Sequence, residues 1–172
     1  MSSIGNNWLV PSADPSIKPL YIGTYYKSAN QNMISGSTDV TFDLTSSHNN
    51  TGGYITHTNG TTNFTVAVSG LYQLEFNSSI VFNGATWNTG TNKVNSIDIT
   101  RIGFSEVVAL GQANNTATST SYIQSVNATF YLQVGDVINC RCQSNFASAI
   151  PFIQGVTNTF DLNTFFTWTF IR

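Results

Sequence analysis

The run FTVAVSGLYQLEFNSSIVF, from Phe64 to Phe82, constrains the fold more than any other part of the chain. Tyr72, Leu74, Phe76, Ile80 and Phe82 fall on one side, with Gln73, Glu75 and Asn77 opposite. That is the period-two pattern of a strand buried on one face. Phe64, Val66 and Val68 form a shorter alternation before it, and Ser69-Gly70 marks the break between the two. Two later segments echo the pattern: FYLQVGD (Phe130 to Asp136) and FFTWTFI (Phe165 to Ile171).

Strand signals at short spacing fill the rest of the chain. They occur at Leu20 to Lys27, at Val40, Phe42 and Leu44, and at Tyr54 to Thr58 before the turn Asn59-Gly60. Val94 to Gly103 and Val107 to Leu110 read as a hairpin through Gly103-Phe104-Ser105. Tyr122, Val126, Phe130 and Leu132 share a face, as do Ile138, Cys140 and Cys142 after the turn Gly135-Asp136. Phe146 to Gly155 reads as an irregular, partly apolar connection. Helical spacing of apolar residues never persists. Many short strands punctuated by turn residues predict an all-β sandwich or barrel.

The chain of 172 residues is long enough for one domain with a real core. Residues 1–20, punctuated by Pro11, Pro15 and Pro19 around Trp8-Leu9-Val10, read as an extended arm that packs on its own domain or on a neighbouring subunit. Residues 21–172 read as the domain. Charged residues make up 8% of the chain, about a third of the usual ~25%. Asn, Thr and Ser take their place, and such a surface loses less on desolvation against copies of itself. Six Lys and Arg dispersed along the chain supply no strong phosphate-neutralising patch, so no strong nucleic-acid binding is expected. No apolar run is long enough to span a bilayer as a helix. The start has no leader-like pattern, so the chain is expected to stay inside, to leave by another route, or to have lost a leader.

The spacing F-x5-G-x-Y-x-x-x-F, formed by Phe64, Gly70, Tyr72 and Phe76, resembles the signature of the globular heads of complement subcomponent q, relatives of the tumour necrosis factor jelly rolls. LQVGD (Leu132 to Asp136) resembles that family's strand closing in Gly-Asp. Phe165 and Trp168 resemble its last strand, with Thr167 where a glycine is common. Leu74 stands where the family usually has an aromatic residue, and the aromatic expected shortly before Phe64 is displaced. No collagen-like stalk is present. The resemblance covers roughly residues 20–172. It implies a jelly roll of ten strands (eight to ten) and a compact homotrimer, and it identifies no receptor.

Aromatic content argues the same way. The chain has 12 Phe, 7 Tyr and 3 Trp, more rings than one sandwich is expected to hide. Pairs such as Tyr25-Tyr26 and Phe165-Phe166 place rings on both faces of a strand, which favours a buried subunit contact. Phe64, Tyr72, Phe76, Phe166, Trp168 and Phe170 are the residues expected to form the core or the trimer contact.

Catalytic constellations are absent from the pattern. No two carboxylates share a motif, no phosphate-binding loop is present, and no cofactor is implied. His48 and His57, with Asp39 or Asp43, are an imaginable metal set of nondescript spacing; no metal site is expected. Asp136 reads as a turn residue, and Glu75 with Arg101 as a structural cross-strand pair. Cys140 and Cys142, at i and i+2, point to one face and suit a disulfide poorly; they read as small buried side chains. Trp87 in the loop NGATWNTG, with Asn83 and Asn88, offers a stacking face beside amides, the chemistry of sugar recognition.

Two non-enzymatic functions remain. One is a self-assembling, trimeric structural protein of a virus particle, as capsid or attachment component, with trimers extending to a larger shell. The other is a soluble trimeric recognition module of the complement or tumour necrosis factor type, binding a host receptor or a glycan. The expected location is the virion or the extracellular space.

Overall fold

The computed structural model describes residues 20–34, 36–47, 49–82, 92–114, 121–144, 151–155 and 163–172. Among them are thirteen strands and no helix: β1 (Ile22–Tyr26), β2 (Gln31–Asn32), β3 (Gly36–Asp39), β4 (Leu44–Thr45), β5 (Ile55–His57), β6 (Asn63–Val66), β7 (Gly70–Phe82), β8 (Asn92–Arg101), β9 (Phe104–Asn114), β10 (Ser121–Leu132), β11 (Val137–Ser144), β12 (Pro151–Ile153) and β13 (Phe165–Phe170). All pairings are antiparallel. The first sheet runs β2-β12-β7-β13-β1-β4, with β10 on the free side of β7. The second runs β5-β6-β11-β8-β9, with β3 beside the far end of β11. The first and last long strands of the domain lie side by side, and the chain crosses between sheets at β2–β3, β3–β4, β4–β5, β6–β7, β7–β8, β9–β10, β10–β11 and β11–β12. This is a jelly-roll sandwich.

The count exceeds the expected ten because two- and three-residue pairings interrupt what the sequence reads as continuous segments or as loop. β12 is the clearest case. Phe146 to Gly155 was expected to be irregular, yet Pro151, Phe152 and Ile153 pair with Phe82, Val81 and Ile80 of β7. A proline at the first residue of a three-residue segment gives little strand signal. The first strand is also shorter than Leu20 to Lys27, beginning at Ile22 and ending at Tyr26.

β7 is the backbone of the first sheet. Tyr72, Leu74, Phe76 and Ile80 are each 0% exposed and face the opposing sheet. They meet Phe64 and Val66 of β6, Ile97 and Ile99 of β8, Ile138 and Cys140 of β11, and Phe166 and Trp168 of β13. Rings contact edge-on or tilted: Phe42–Phe64 at 5.5 Å, Phe64–Phe166 at 4.6 Å and Tyr72–Trp168 at 6.0 Å between centroids, the geometry ring quadrupoles prefer. The Tyr72 hydroxyl donates to the Val68 carbonyl at 2.6 Å, so the buried phenol is satisfied, and burial pushes its pKa up to about 12.

Two glycines are required by geometry. Gly23 on β1 pairs with Trp168, and a Cβ there would overlap the indole ring. Gly103, at φ 94°, closes the β8–β9 hairpin through Ile102-Gly103, the left-handed position that suits a residue without Cβ.

Candidate functional site

The outward face of the first sheet is built by strand register. Three rows of four residues cross β1, β13, β7 and β10: Ile22–Thr169–Gln73–Thr129, Thr24–Thr167–Glu75–Asn127, and Tyr26–Phe165–Asn77–Ser125. Each residue alternates with an inward one along its own strand, which fixes the side it occupies. Glu75 is the one charge in these rows. Ile22, Tyr26 and Phe165 lie towards the β1 ends of the rows, and hydroxyls and amides supply the rest; some bond within the face: Thr167 Oγ1 donates to Thr24 Oγ1 at 3.1 Å, and Asn77 Nδ2 to the Asn163 carbonyl at 2.9 Å. Two large apolar side chains flank the rows on β10, Ile123 at 64% and Tyr131 at 56% exposure. Such a face costs less to strip of water than a charged one, since only one charge must be neutralised and the hydroxyls and amides need only hydrogen-bond partners.

The six aromatic residues singled out by sequence divide as follows. Phe64, Tyr72, Phe76, Phe166 and Trp168 are fully buried within the protomer, and Phe170 is half-buried against them. The sandwich therefore hides these rings by itself. Within the rows above the outward rings are Tyr26 and Phe165, beside inward Tyr25 and Phe166. Trp87, Asn83 and Asn88 lie outside the described residues, as do His48 and residues 1–19.

His57 is held by main chain. Its Nδ1 lies 2.9 Å from the Asn63 carbonyl and its Nε2 2.9 Å from the Phe42 carbonyl, and its ring stacks on Phe64 at 4.1 Å. Both nitrogens are thus engaged by the fold. Asp39 accepts from Arg141 and Asp43 from Ser28. Among the described residues no three His, Cys, Asp or Glu side chains converge as metal ligands.

Glu75 and Arg101 do not pair. Arg101 Nε and Nη2 grip Asp136 at 2.8 and 2.5 Å, and Asp136 also accepts the Gln133 N–H at 2.8 Å. Asp136 is 1% exposed. Burial raises its pKa, but the bonds from Arg101 and Gln133 overcome this and hold the carboxyl below its usual range. Its part is thus larger than that of a turn residue: it locks the β10–β11 turn to β8. Arg101 sits at the hairpin end of β8, where register alone could not show whether its side chain meets β7 or the turn.

Sequence reasoning also missed a polar end of the interior. Lys93 and Asn95 of β8, Ser78 of β7 and Ser144 of β11 are buried between the sheets. Asn95 exchanges hydrogen bonds with Ser78 and donates to the Gln124 carbonyl. Lys93 places Nζ 4.6 Å from the Tyr122 ring centre, and burial lowers its pKa to about 8. Cys142, in the same region, has its thiol pushed up to about 12 by burial, with the Ser78 hydroxyl and Lys27 opposing. Cys140 is raised too, by burial first. Both cysteines are free and buried, protonated packing residues at neutral pH.

No family model matches the sequence, and no curated protein matches it. Solved structures do. The crystal structure of murine APRIL at pH 8.5 superposes with TM-score 0.55 at 15% identity, over 89% of this chain and 100% of that one; the form at pH 8.0 gives 0.57 at 13%. Eiger TNF from S. frugiperda gives 0.54 at 13% identity, over 90% of this chain and 94% of its own. The fold is a tumour necrosis factor-like jelly roll. At such identities the likeness is one of fold, and the complement head motif remains a resemblance of sequence.

Proposed function

We propose that this chain is a non-enzymatic, homotrimeric recognition module of the extracellular space, associating through the outward face of its first sheet. The observation behind this reading is the block of three rows with Glu75 as its single charge. A monomer exposing such a face gains nothing from its lack of charge, whereas a subunit interface does. The threefold order is supported by the motif Phe64, Gly70, Tyr72, Phe76 and by the fold shared with murine APRIL and Eiger TNF. In this arrangement the second sheet stays outward and is the surface left for a receptor.

A second reading is favoured by the low overall charge, 8% of residues: trimers packing further as a capsid or attachment component of a virus particle. Electron microscopy of the purified protein separates the two. Discrete trimers support the recognition module, and closed shells support the particle component. For the association itself, Asn127→Arg puts a cation into the middle row at an exposed position. It is expected to yield folded protomers on size-exclusion chromatography with light scattering. An unchanged assembly would move the interface elsewhere.

A further inference from the structure

The second sheet carries a depression of about 230 Å³ lined by Asp98, Thr100, Ser105, Glu106, Val107 and Arg141. Its electrostatics are set by a triad. Arg141 Nε donates to Asp39 Oδ1 at 2.8 Å and Nη1 to Asp98 Oδ2 at 2.6 Å. One cation thus faces two carboxylates, and Glu106 adds a third acid at the rim. The local balance is negative.

Asp98 supplies the second observation. The residue is 5% exposed, one oxygen is held by Arg141, and the other, Oδ1, accepts no hydrogen bond. A buried carboxylate oxygen without a donor is a costly arrangement, and Asp98 is one of the residues lining the depression. The bulge in the β8–β9 pairing between Ile97 and Asp98 leaves Val107 and Leu110 beside it, 56% and 63% exposed. An acidic pocket beside exposed aliphatic side chains is the complement of a basic residue flanked by apolar ones.

We propose that this depression receives a lysine or arginine side chain of a protein partner, with the Asp98 carboxylate as its principal acceptor, the Thr100 and Ser105 hydroxyls beside it, and Val107 and Leu110 packing against the partner's apolar neighbours. The proposal rests on the recognition-module reading and deepens it by naming what the free sheet would recognise. A divalent cation suits the site less: calcium takes about six to eight oxygens, and here Arg141 already occupies one of the two Asp98 oxygens.

The test uses the full chain, 15N-labelled, titrated to millimolar concentration with the peptide acetyl-Leu-Arg-Leu-amide and with the same peptide carrying citrulline, the neutral isostere of arginine. Amide shifts confined to residues 98–107 and 141 are expected with the arginine peptide. The citrulline peptide is expected to bind at least tenfold more weakly. Asp98→Asn should abolish the arginine preference; Val107→Arg, at an exposed rim position, should block binding without touching the triad. Equal response to both peptides, no response to either, or an arginine preference that survives in both variants would overturn the proposal, and so would calcium chloride producing the same shifts in place of the peptide. Light scattering on the same samples keeps the two readings apart: a trimer that ignores the arginine peptide overturns the pocket alone, and a monomer that binds it overturns the trimer alone.

Discussion

Lys93 shows most plainly what single side chains contribute. It is fully buried with its pKa lowered to about 8, against about 10.4 in an unfolded chain. Below about pH 8 both states hold the proton, and the cost of the buried charge is present in full. From there towards pH 10 the native state gives up its proton first, so stability rises with pH. Chemical denaturation at pH 7 and pH 9.5 should therefore show wild type gaining stability relative to Lys93→Met; parallel curves would contradict the burial. Asp136 has the opposite sign. Its folded pKa is depressed, so its contribution is present above about pH 4 and is lost as pH falls through the folded value. Asp136→Asn should destabilise the protein at neutral pH by removing the charge that faces Arg101, and it should flatten the acid limb of the stability profile. Tyr72→Ala, at the centre of the aromatic cluster, should cost about 3–5 kcal/mol in urea unfolding.

Among the elements, legibility followed burial asymmetry. β7, β10, β11 and β13 each have one buried face, so their alternation was plain and Tyr72, Val126, Cys140 and Trp168 were placed inward by pattern alone. β2 and β12 were not readable, because two or three residues held by a neighbour's edge carry no period of their own. β8 was readable as a strand, but its inward Lys93 and Asn95 were hidden, since a polar residue inside a sandwich looks like one outside it. The same ambiguity concealed the Arg101–Asp136 pair and the Asp98 depression, which depend on which strands become neighbours. The contact of Gly23 with Trp168 is a further element-level demand: Gly23→Ala should destabilise the β1–β13 pairing by about 1–3 kcal/mol and perturb tryptophan fluorescence in the native state. A neutral substitution would mean that the indole does not lie across the strand.

For the molecule as a whole, the proposed trimer gives the two faces of the sandwich different parts. The interior of one protomer hides Phe64, Tyr72, Phe76, Phe166 and Trp168. The proposed association therefore rests less on surplus rings than on a sheet face with Glu75 as its one charge, with Ile123 and Tyr131 at its margin. Hydroxyl and amide groups hold such a face soluble in the protomer and tolerate burial in the assembly, because each can bond across the contact or within its own row. The second sheet keeps its ion-paired acids and its depression, features suited to an exposed surface. The central claim is the association, and the mass of the wild-type chain by light scattering at micromolar dilution, beside Asn127→Arg, tests it most directly. The account predicts three chain masses for the wild type and one for the variant, with equal unfolding midpoints once dissociation is allowed for. A stable wild-type protomer of one chain mass at that dilution would contradict it.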